Sequence, residues 1–121
     1  EKTKNVYNHR HVKSAISFMN SYDVMLVPLL SAGGIRVKII EGMALGKTII
    51  STTIGAEGLS FTENENILIA NNPKEFAKKA LDLLQKPESM NKIGENARKH
   101  VTEIYDQNKI TKRLIDFCES L

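Results

Sequence analysis

The apolar residues of the chain form short runs that alternate with segments of helical periodicity. Three runs, at residues 23–29, 48–54 and 66–70, are apolar on both faces and rich in Val, Ile and Leu. This pattern predicts strands of a parallel sheet that is covered by helices on both faces. A fourth strand is predicted at residues 3–7, and Pro28 is predicted to close the first of the three runs.

Five other segments repeat apolar residues at spacings of three and four, which predicts amphipathic helices. They are residues 11–21, 35–45, 72–86, 90–104 and 108–120. Asn72 and Pro73 are a typical N-cap and first helical residue, Pro87 is predicted to end that helix, and Gly46 is a typical left-handed end for the second helix. Strands and helices alternate in the first half of the chain, which predicts an α/β domain with a parallel sheet.

Length and composition exclude several classes of protein. The 121 residues are 41% hydrophobic and 26% charged, which is ordinary for one globular domain and unlike a disordered chain. No window approaches the ~18 apolar residues of a membrane span. Cys118 is the single cysteine, which excludes an internal disulfide and a thiolate zinc site. Because the chain starts at Glu1 and leads almost at once into a predicted strand, we expect a piece of a longer protein.

The net charge of +3 is distributed unevenly along the chain. Residues 1–40 contain six Lys or Arg and two Asp or Glu. Residues 41–72 contain one and four, and residues 73–121 contain ten and eight. The last segment predicts a mixed, solvated surface rather than the basic stripe that nucleic-acid binding needs, so we expect no nucleic-acid partner. His9 and His11 have no third ligand nearby, and we expect no metal site.

The segment after Pro28 carries the clearest chemical signal. Gly33 and Gly34 lie between a predicted strand end and a predicted helix start, where a ligand can approach the backbone and the first helical N–H groups are unpaired. Such turns are typical of phosphate sites beyond the carboxyl ends of parallel strands. Arg36 and Lys38 add two cations to the first helical turn, where the helix dipole disfavours them by ~0.3–1 kcal/mol each. A bound anion would compensate for that cost.

Glu41 extends this signal towards a nucleotide. It follows Gly34 by seven residues, hence two helical turns and about 10 Å along nearly the same face, which is roughly the span from a diphosphate to a ribose. A carboxylate there can accept hydrogen bonds from two vicinal ribose hydroxyls. Two structural explanations compete: Gly33 and Gly34 can form a simple turn, and Lys38 and Glu41 can form an i,i+3 surface ion pair. The residues alone leave both explanations and the anion site open.

At these residues the sequence resembles the C-terminal domain of the GT-B glycosyltransferases of group 1, the retaining family 4 enzymes. The family's signature, aDv-vvP … E-A-M-A-x-G-x-P-V-V-x-T … G, is similar to residues 22–28, 34–52 and 55–59. Its later G-x-x-A-R-x-x-V helix resembles Gly94, Ala97, Arg98 and Val101. The resemblance covers about residues 20–105 and implies a Rossmann-like C-terminal half that binds the donor nucleotide. Residues 1–121 would then be one partial domain.

The resemblance implies roles for the residues that match. Glu41 matches the second glutamate of the family's E-x7-E motif, which binds the nucleotide ribose. The first glutamate, which contacts the donor sugar in the family, falls at Gly33, so the usual carboxylate for the sugar is absent.

The remaining site residues are assigned from their positions beside this motif. The backbone N–H groups of Gly34 and Ile35 are expected to face the sugar and the distal phosphate. Arg36 and Lys38 are expected to act in catalysis by stabilising the leaving diphosphate.

These implications describe a glycosyltransferase that moves a glycosyl group from a nucleotide-diphosphate sugar to a sugar or lipid-linked acceptor, in polysaccharide or glycoconjugate synthesis. The acceptor domain and the family's usual phosphate-binding Arg/Lys pair would lie upstream of Glu1, so we expect the chain alone to be inactive. The nucleotide sugar is a substrate, and no cofactor is expected. The family suggests a cytoplasmic enzyme, peripheral to the inner face of the membrane. A missing first strand–helix unit would leave a sheet edge through which two copies can pair.

Two other functions stay open at this point. A nucleotide-sugar epimerase of similar architecture also has a Ser-Gly-Gly-type turn before a glutamate-bearing helix. It needs acidic residues after that turn, where this chain has Arg36 and Lys38. A non-catalytic α/β nucleotide-binding module, such as a receiver-like signalling domain, needs an acidic cluster at the strand ends, whereas Asp23 precedes its strand.

Overall fold

The computed structural model describes residues 4–31, 36–104 and 106–120, apart from the side chains of residues 36 and 107–109. The elements in chain order are α1 (Ala15–Asn20), β1 (Val24–Val27), α2 (Arg36–Ala44), β2 (Thr48–Ser51), β3 (Leu68–Ile69), α3 (Pro73–Gln85), α4 (Pro87–Ile104) and α5 (Gln107–Glu119). None of the described helices is long and apolar enough to cross a membrane.

The three described strands form one parallel sheet in the order β1-β2-β3, which confirms the predicted strand direction. β1 and β2 pair over their full lengths, from Val24 opposite Thr48 to Val27 opposite Ser51. β3 pairs with the second half of β2. All three strands therefore end at the same edge of the sheet, and the segments that follow them lie close together.

Helices cover both faces of the sheet, as the two-sided apolar runs predicted. One face packs with α2 and the second half of α4 around the buried residues Val27, Ile39, Met43, Ile49, Ala56, Ile67, Ile69, Ala97 and Val101. The other face packs with α3 and the start of α4 around Ile50, Leu68, Ala70 and Leu83. Successive residues of a strand point to opposite faces, so Ile49 and Ile50 belong to different halves of the core.

α4 approaches the turn between α2 and β2 very closely. Gly46 in that turn has a φ of 75°, which confirms the left-handed helix end predicted there. A Cβ placed on Gly94 would lie 2.2 Å from the Gly46 carbonyl oxygen, so only glycine fits at this crossing. The Thr48 hydroxyl donates to the Met90 carbonyl at 2.5 Å and fixes α4 to the first residue of β2.

The helix ends follow local capping chemistry. Asn72 caps α3 as predicted, because its side chain accepts a hydrogen bond from the Glu75 N–H at 2.9 Å. α3 ends at Gln85, before Pro87 as predicted, and Pro87 is also the first residue of α4. α4 therefore starts three residues before the predicted position, since proline suits the first helical turn.

The N-terminal predictions are wrong in two respects. Residues 4–7 form a turn and irregular backbone rather than a strand, and residue 3 lies outside the described residues. Asn5 is in the left-handed region, with a φ of 64°, and Val6 and Tyr7 are largely exposed, so this segment neither stays extended nor buries its apolar side chains. The first helix begins at Ala15 rather than at residue 11, because the Ser14 side chain caps it by accepting from the Ser17 N–H.

β3 is shorter than the predicted strand at residues 66–70. A turn precedes it, in which Asn64 has a φ of 68° and the Asn66 side chain accepts a hydrogen bond from the Thr62 N–H at 2.9 Å. The Lys79 ammonium of α3 donates to the carbonyl oxygen of Ile69 and so occupies a backbone acceptor of this edge strand.

Candidate functional site

The carboxyl edge of the sheet is the place where an open parallel sheet binds ligands. The chain leaves β1 at Pro28, β2 at Thr52 and β3 at Ala70, and these three exits are neighbours because the strands are parallel and in register. The predicted site residues 33–41 belong to the segment that follows β1. That a ligand binds there stays a prediction.

α2 carries the described part of the predicted site. Ile39 and Met43 are almost fully buried in the core and fix the orientation of the helix. Lys38 and Glu41 lie on its exposed side, with the Lys38 Nζ 3.3 Å from the Glu41 Oε2 and with 49% and 42% of their side chains accessible. The structure therefore brings these two residues together in the ion pair that the spacing allowed.

Four predicted site residues are described incompletely or not at all. Gly33, Gly34 and Ile35 lie outside the described residues, and Arg36 is described only as the first backbone residue of α2. Their roles stay predictions. The first turn of α2 itself contains no Asp or Glu that would offset the positive end of the helix dipole.

Sequence reasoning missed Thr52, which directly follows β2 and is 4% exposed. Its hydroxyl donates to the Leu29 carbonyl at 2.6 Å and accepts from the Gly55 N–H at 2.9 Å. Its own N–H donates to the Val27 carbonyl at 3.2 Å. The only signal in the sequence is a threonine at a strand end, three residues before a glycine, and that pattern does not reveal the partner in β1.

A second polar contact joins the ends of β2 and β3. The Asn71 side chain accepts from the Thr53 N–H at 2.9 Å and donates to the Thr53 hydroxyl at 3.0 Å. Together with Thr52, this contact fastens the three strand exits to one another. The carboxyl edge is thus held in place by side chains that the sequence analysis did not single out.

A cleft at this edge lies away from Lys38 and Glu41. This cleft of about 410 Å³ opens on the α3 side of the sheet. It is lined by Leu26, Pro28, Leu30, Thr52, Asn71, Asn72, Pro73 and Phe76. The walls are mostly apolar and offer no charged group, so the cleft does not suit a diphosphate.

Other candidate residues take structural positions. The His9 ring packs edge-on against Phe18, with the ring centroids 5.4 Å apart. The His100 Nε2 lies 2.7 Å from the Ser60 carbonyl oxygen, and Cys118 is an exposed free thiol. Within residues 4–31, 36–104 and 106–120, no three His, Cys, Asp or Glu side chains are grouped so that they could hold a metal ion.

Comparison with known proteins adds family evidence to this geometry. The model of the family described as "Glycosyl transferases group 1" matches residues 1–86. An uncharacterized glycosyltransferase of Methanocaldococcus jannaschii is 36% identical over 84 residues, which cover 68% of this chain and 24% of that protein. An uncharacterized 44.6 kDa protein in the cps region of Klebsiella pneumoniae is 30% identical over 87 residues, covering 72% of this chain and 22% of the relative.

Solved structures show the same fold. The structure of Anabaena HepE in complex with UDP superposes with a TM-score of 0.74 at 17% identity, covering 86% of this chain and 29% of that one. A second HepE structure, with UDP and glucose, gives a TM-score of 0.72. The chain therefore spans about a quarter of the length of the curated relatives that it matches. Neither the epimerase nor the receiver-like alternative is favoured by these matches.

Proposed function

The chain belongs to the group 1 glycosyl transferases, and from this membership we propose that it supplies the nucleotide-sugar site of an enzyme that transfers a glycosyl group to an acceptor. The observation that carries the proposal is α2, which holds Lys38 and Glu41 side by side and partly exposed on the helix that follows β1. A cation for a diphosphate and a carboxylate for ribose hydroxyls are suited to a nucleoside diphosphate.

In this proposal Glu41 accepts hydrogen bonds from the ribose hydroxyls. Lys38 and Arg36 stabilise the negative charge that builds on the diphosphate while the bond between its oxygen and the anomeric carbon breaks. The acceptor hydroxyl oxygen becomes bonded to that carbon, and its proton passes to the leaving diphosphate. Exposed ion pairs such as Lys38–Glu41 contribute only ~0–1 kcal/mol, so exchanging this contact for contacts with a nucleotide costs little.

We assign the backbone N–H groups of Gly34 and Ile35, with Gly33 beside them, to the distal phosphate and the donor sugar. The support is the first turn of α2, whose described residues include no carboxylate that would repel a phosphate. Because Gly33 stands where the family has a glutamate, recognition of the sugar depends on backbone groups in this protein. No cofactor takes part in the proposed reaction.

We further propose that residues 1–121 are one partial donor domain of a longer enzyme. The support is the share of the relatives that the chain covers, 22% and 24%. The acceptor domain would belong to another part of the same protein and complete the cleft in which both substrates meet. On this proposal the chain alone binds a donor nucleotide but does not transfer sugar.

The acceptor class and the place of action follow from the family resemblance and from one relative. A sugar or lipid-linked acceptor in polysaccharide or glycoconjugate synthesis is consistent with the Klebsiella pneumoniae relative of the cps region. We propose that the whole enzyme works in the cytoplasm, peripheral to the inner face of the membrane. Cell fractionation of the whole protein would test this location.

The experiment that tests the nucleotide site is a titration of amide chemical shifts with UDP, GDP and ADP. UDP is the first probe because HepE was solved in complex with it. The wild-type chain is compared with Glu41→Ala and with Glu95→Ala as a matched control. Glu95 also pairs with a lysine on an exposed helix surface, since the Lys99 Nζ lies 3.8 Å from its Oε1.

We expect the shifts to concentrate on residues 33–41, to depend on the base and to weaken in Glu41→Ala alone. Inorganic sulfate serves as the competing anion. Shifts as large with sulfate as with any nucleoside diphosphate, or equal binding by the Glu41→Ala and Glu95→Ala variants, would refute the proposed site. If the wild-type chain binds none of the nucleotides, the same titration on the intact protein decides whether a donor site exists.

A further inference from the structure

Thr52 is buried between the ends of β1 and β2 and forms hydrogen bonds with the segments that follow both strands. Its hydroxyl, its N–H and its carbonyl are all engaged, and besides the hydroxyl of the preceding Ser51 its partners come from two separate segments. Val27 and Leu29 belong to the exit of β1, while Gly55 and Ala56 belong to the turn after β2. A hydroxyl that donates to one segment and accepts from the other fixes the distance between them.

Both segments are connected to the helix that carries Lys38 and Glu41, one along the chain and the other by packing. Leu29 is part of the segment that runs from β1 into α2. On the other side, the Ala56 N–H donates to the Thr52 carbonyl at 3.1 Å, and Ala56 is completely buried in the same cluster as Ile39 and Met43 of α2. Thr52 therefore contacts the segment that follows β1 and, through Ala56, the cluster in which the buried side of α2 packs.

The turn at Gly55 packs so closely against Thr52 and its neighbours that it leaves no room for a side chain. A Cβ on Gly55 would lie 2.5 Å from the Ser51 Oγ, 3.2 Å from the Thr52 Oγ1 and 3.3 Å from a Val27 methyl carbon. Glycine at this position lets the chain turn back close enough for its N–H to reach the Thr52 hydroxyl. The hydrogen bond between the Gly55 N–H and the Thr52 hydroxyl therefore depends on glycine at position 55.

We propose that Thr52 is a positioning residue for nucleotide binding: its hydroxyl holds the exit of β1 and the turn at Gly55 in the arrangement that sets α2 for the ligand. This inference rests on the proposed nucleotide-binding function of α2. Thr52 touches no ligand in it. The hydroxyl acts on the placement of Lys38 and Glu41 through the Leu29 carbonyl and through the Gly55 N–H, and Gly55 precedes the buried Ala56.

Valine has nearly the shape of threonine but can neither donate to Leu29 nor accept from Gly55. The Thr52→Val variant therefore removes the hydroxyl partner of the half-buried Leu29 carbonyl and of the buried Gly55 N–H while it keeps the packing. The chain supplies a matched control in Thr48→Val. Thr48 is 1% exposed and its hydroxyl donates to a carbonyl, that of Met90, but it lies at the amino end of the same strand, about 13 Å from Thr52.

The test measures UDP affinity and the melting temperature Tm on the wild-type chain and the variants, with amide shifts as the binding signal. We expect both valine variants to lower Tm. Only Thr52→Val should weaken UDP binding, by about three- to tenfold, which corresponds to one or two hydrogen bonds. Thr48→Val should change the affinity less than about twofold, and Thr52→Ser, which retains the hydroxyl, should bind nearly as the wild type does.

If Thr52→Val fails to fold, Thr52→Ser and Thr52→Ala provide the same comparison, because they too differ from each other by one hydroxyl. The positioning role would be overturned, and the proposed function left intact, if the wild type binds UDP and Thr52→Val binds it equally well. Equal UDP affinity of Thr52→Ser and Thr52→Ala would have the same meaning. Equal weakening by Thr48→Val and Thr52→Val would show a purely structural effect and would also overturn it. If neither the wild-type chain nor the intact protein binds a nucleotide, the proposed function is overturned, and this inference with it.

Discussion

Lys38 and Glu41 form an ion pair across one turn of α2, with 3.3 Å between the Nζ and Oε2 atoms. Both side chains extend from a helix whose opposite side, with Ile39 and Met43, is almost fully buried. The core therefore fixes where the pair stands, whereas solvent reaches both charged groups. This combination of a rigid base and accessible charges suits exchange of the internal partner for a ligand.

Removal of Lys38 should separate stability from binding. We expect Lys38→Met to change the free energy of unfolding by no more than ~0.5 kcal/mol, because an exposed ion pair contributes little. UDP affinity should fall about tenfold or more, since a charge-assisted hydrogen bond to phosphate is lost. Urea unfolding and UDP titration measure the two quantities. Lys99→Met, which removes the cation of the exposed Glu95–Lys99 pair, is the control and should leave UDP affinity unchanged.

The crossing of α4 over the α2–β2 turn should tolerate no side chain at Gly94. A Cβ there would lie 2.2 Å from the Gly46 carbonyl oxygen, so Gly94→Ala must displace backbone. We expect a loss of about 1–3 kcal/mol in the free energy of unfolding, measured with urea. The neighbouring Glu95→Ala change on the exposed side of the same helix should stay within ~0.5 kcal/mol. A Gly94→Ala variant as stable as the wild type would contradict this close approach.

The start of α3 depends on the side chain of Asn72. It accepts from the Glu75 N–H at 2.9 Å and donates to the Glu75 carboxylate at 2.6 Å. Asn72→Ala should cost about 1 kcal/mol of unfolding free energy, whereas Asn72→Ser should retain most of the stability because serine also caps helices. Thermal unfolding monitored by circular dichroism compares the two variants. Equal Tm values for them would argue against the cap as the source of stability.

The edge at β1 should support pairing of two copies of the chain. Among the described strands β1 pairs with β2 alone, and Leu26 on this edge strand is 51% exposed. We expect sedimentation analysis to show dimers that increase with concentration, and Leu26→Lys to shift them to monomers, since a charge on an edge strand opposes pairing. Leu81→Lys, at a similarly exposed leucine of α3, is the control. A chain that stays monomeric at high concentration would contradict the prediction.

Much of the fold was predictable because local signals and tertiary packing agree. The apolar run at β2 requires burial on both faces, and a parallel sheet between helices provides it. The N-cap at Asn72 and the left-handed turn at Gly46 are chemical stops that act within a few residues. The predicted fold class is confirmed, and so is membership of the glycosyltransferase family, which the motif around Glu41 had indicated.

The errors fall where local periodicity had no tertiary partner. Val6 and Tyr7 look like strand residues, but they stay largely exposed in the structure. β3 has only two strand residues, and a hydrogen bond from the Thr62 N–H to the Asn66 side chain holds the turn that precedes it. Propensity alone cannot detect either effect, because each depends on what lies beside the segment.

The sequence by itself determined the alternation of strands and helices, the family, and the chemistry offered by Lys38 and Glu41, since periodicity and side-chain type are properties of neighbouring residues. Only the tertiary structure decided that Thr52 joins two strand exits and that α4 crosses Gly46 without room for a methyl group. The physical reason is distance along the chain. Thr52 reaches Leu29 across 23 positions and Thr48 reaches Met90 across 42, and such contacts exist only once the sheet and its helices have packed.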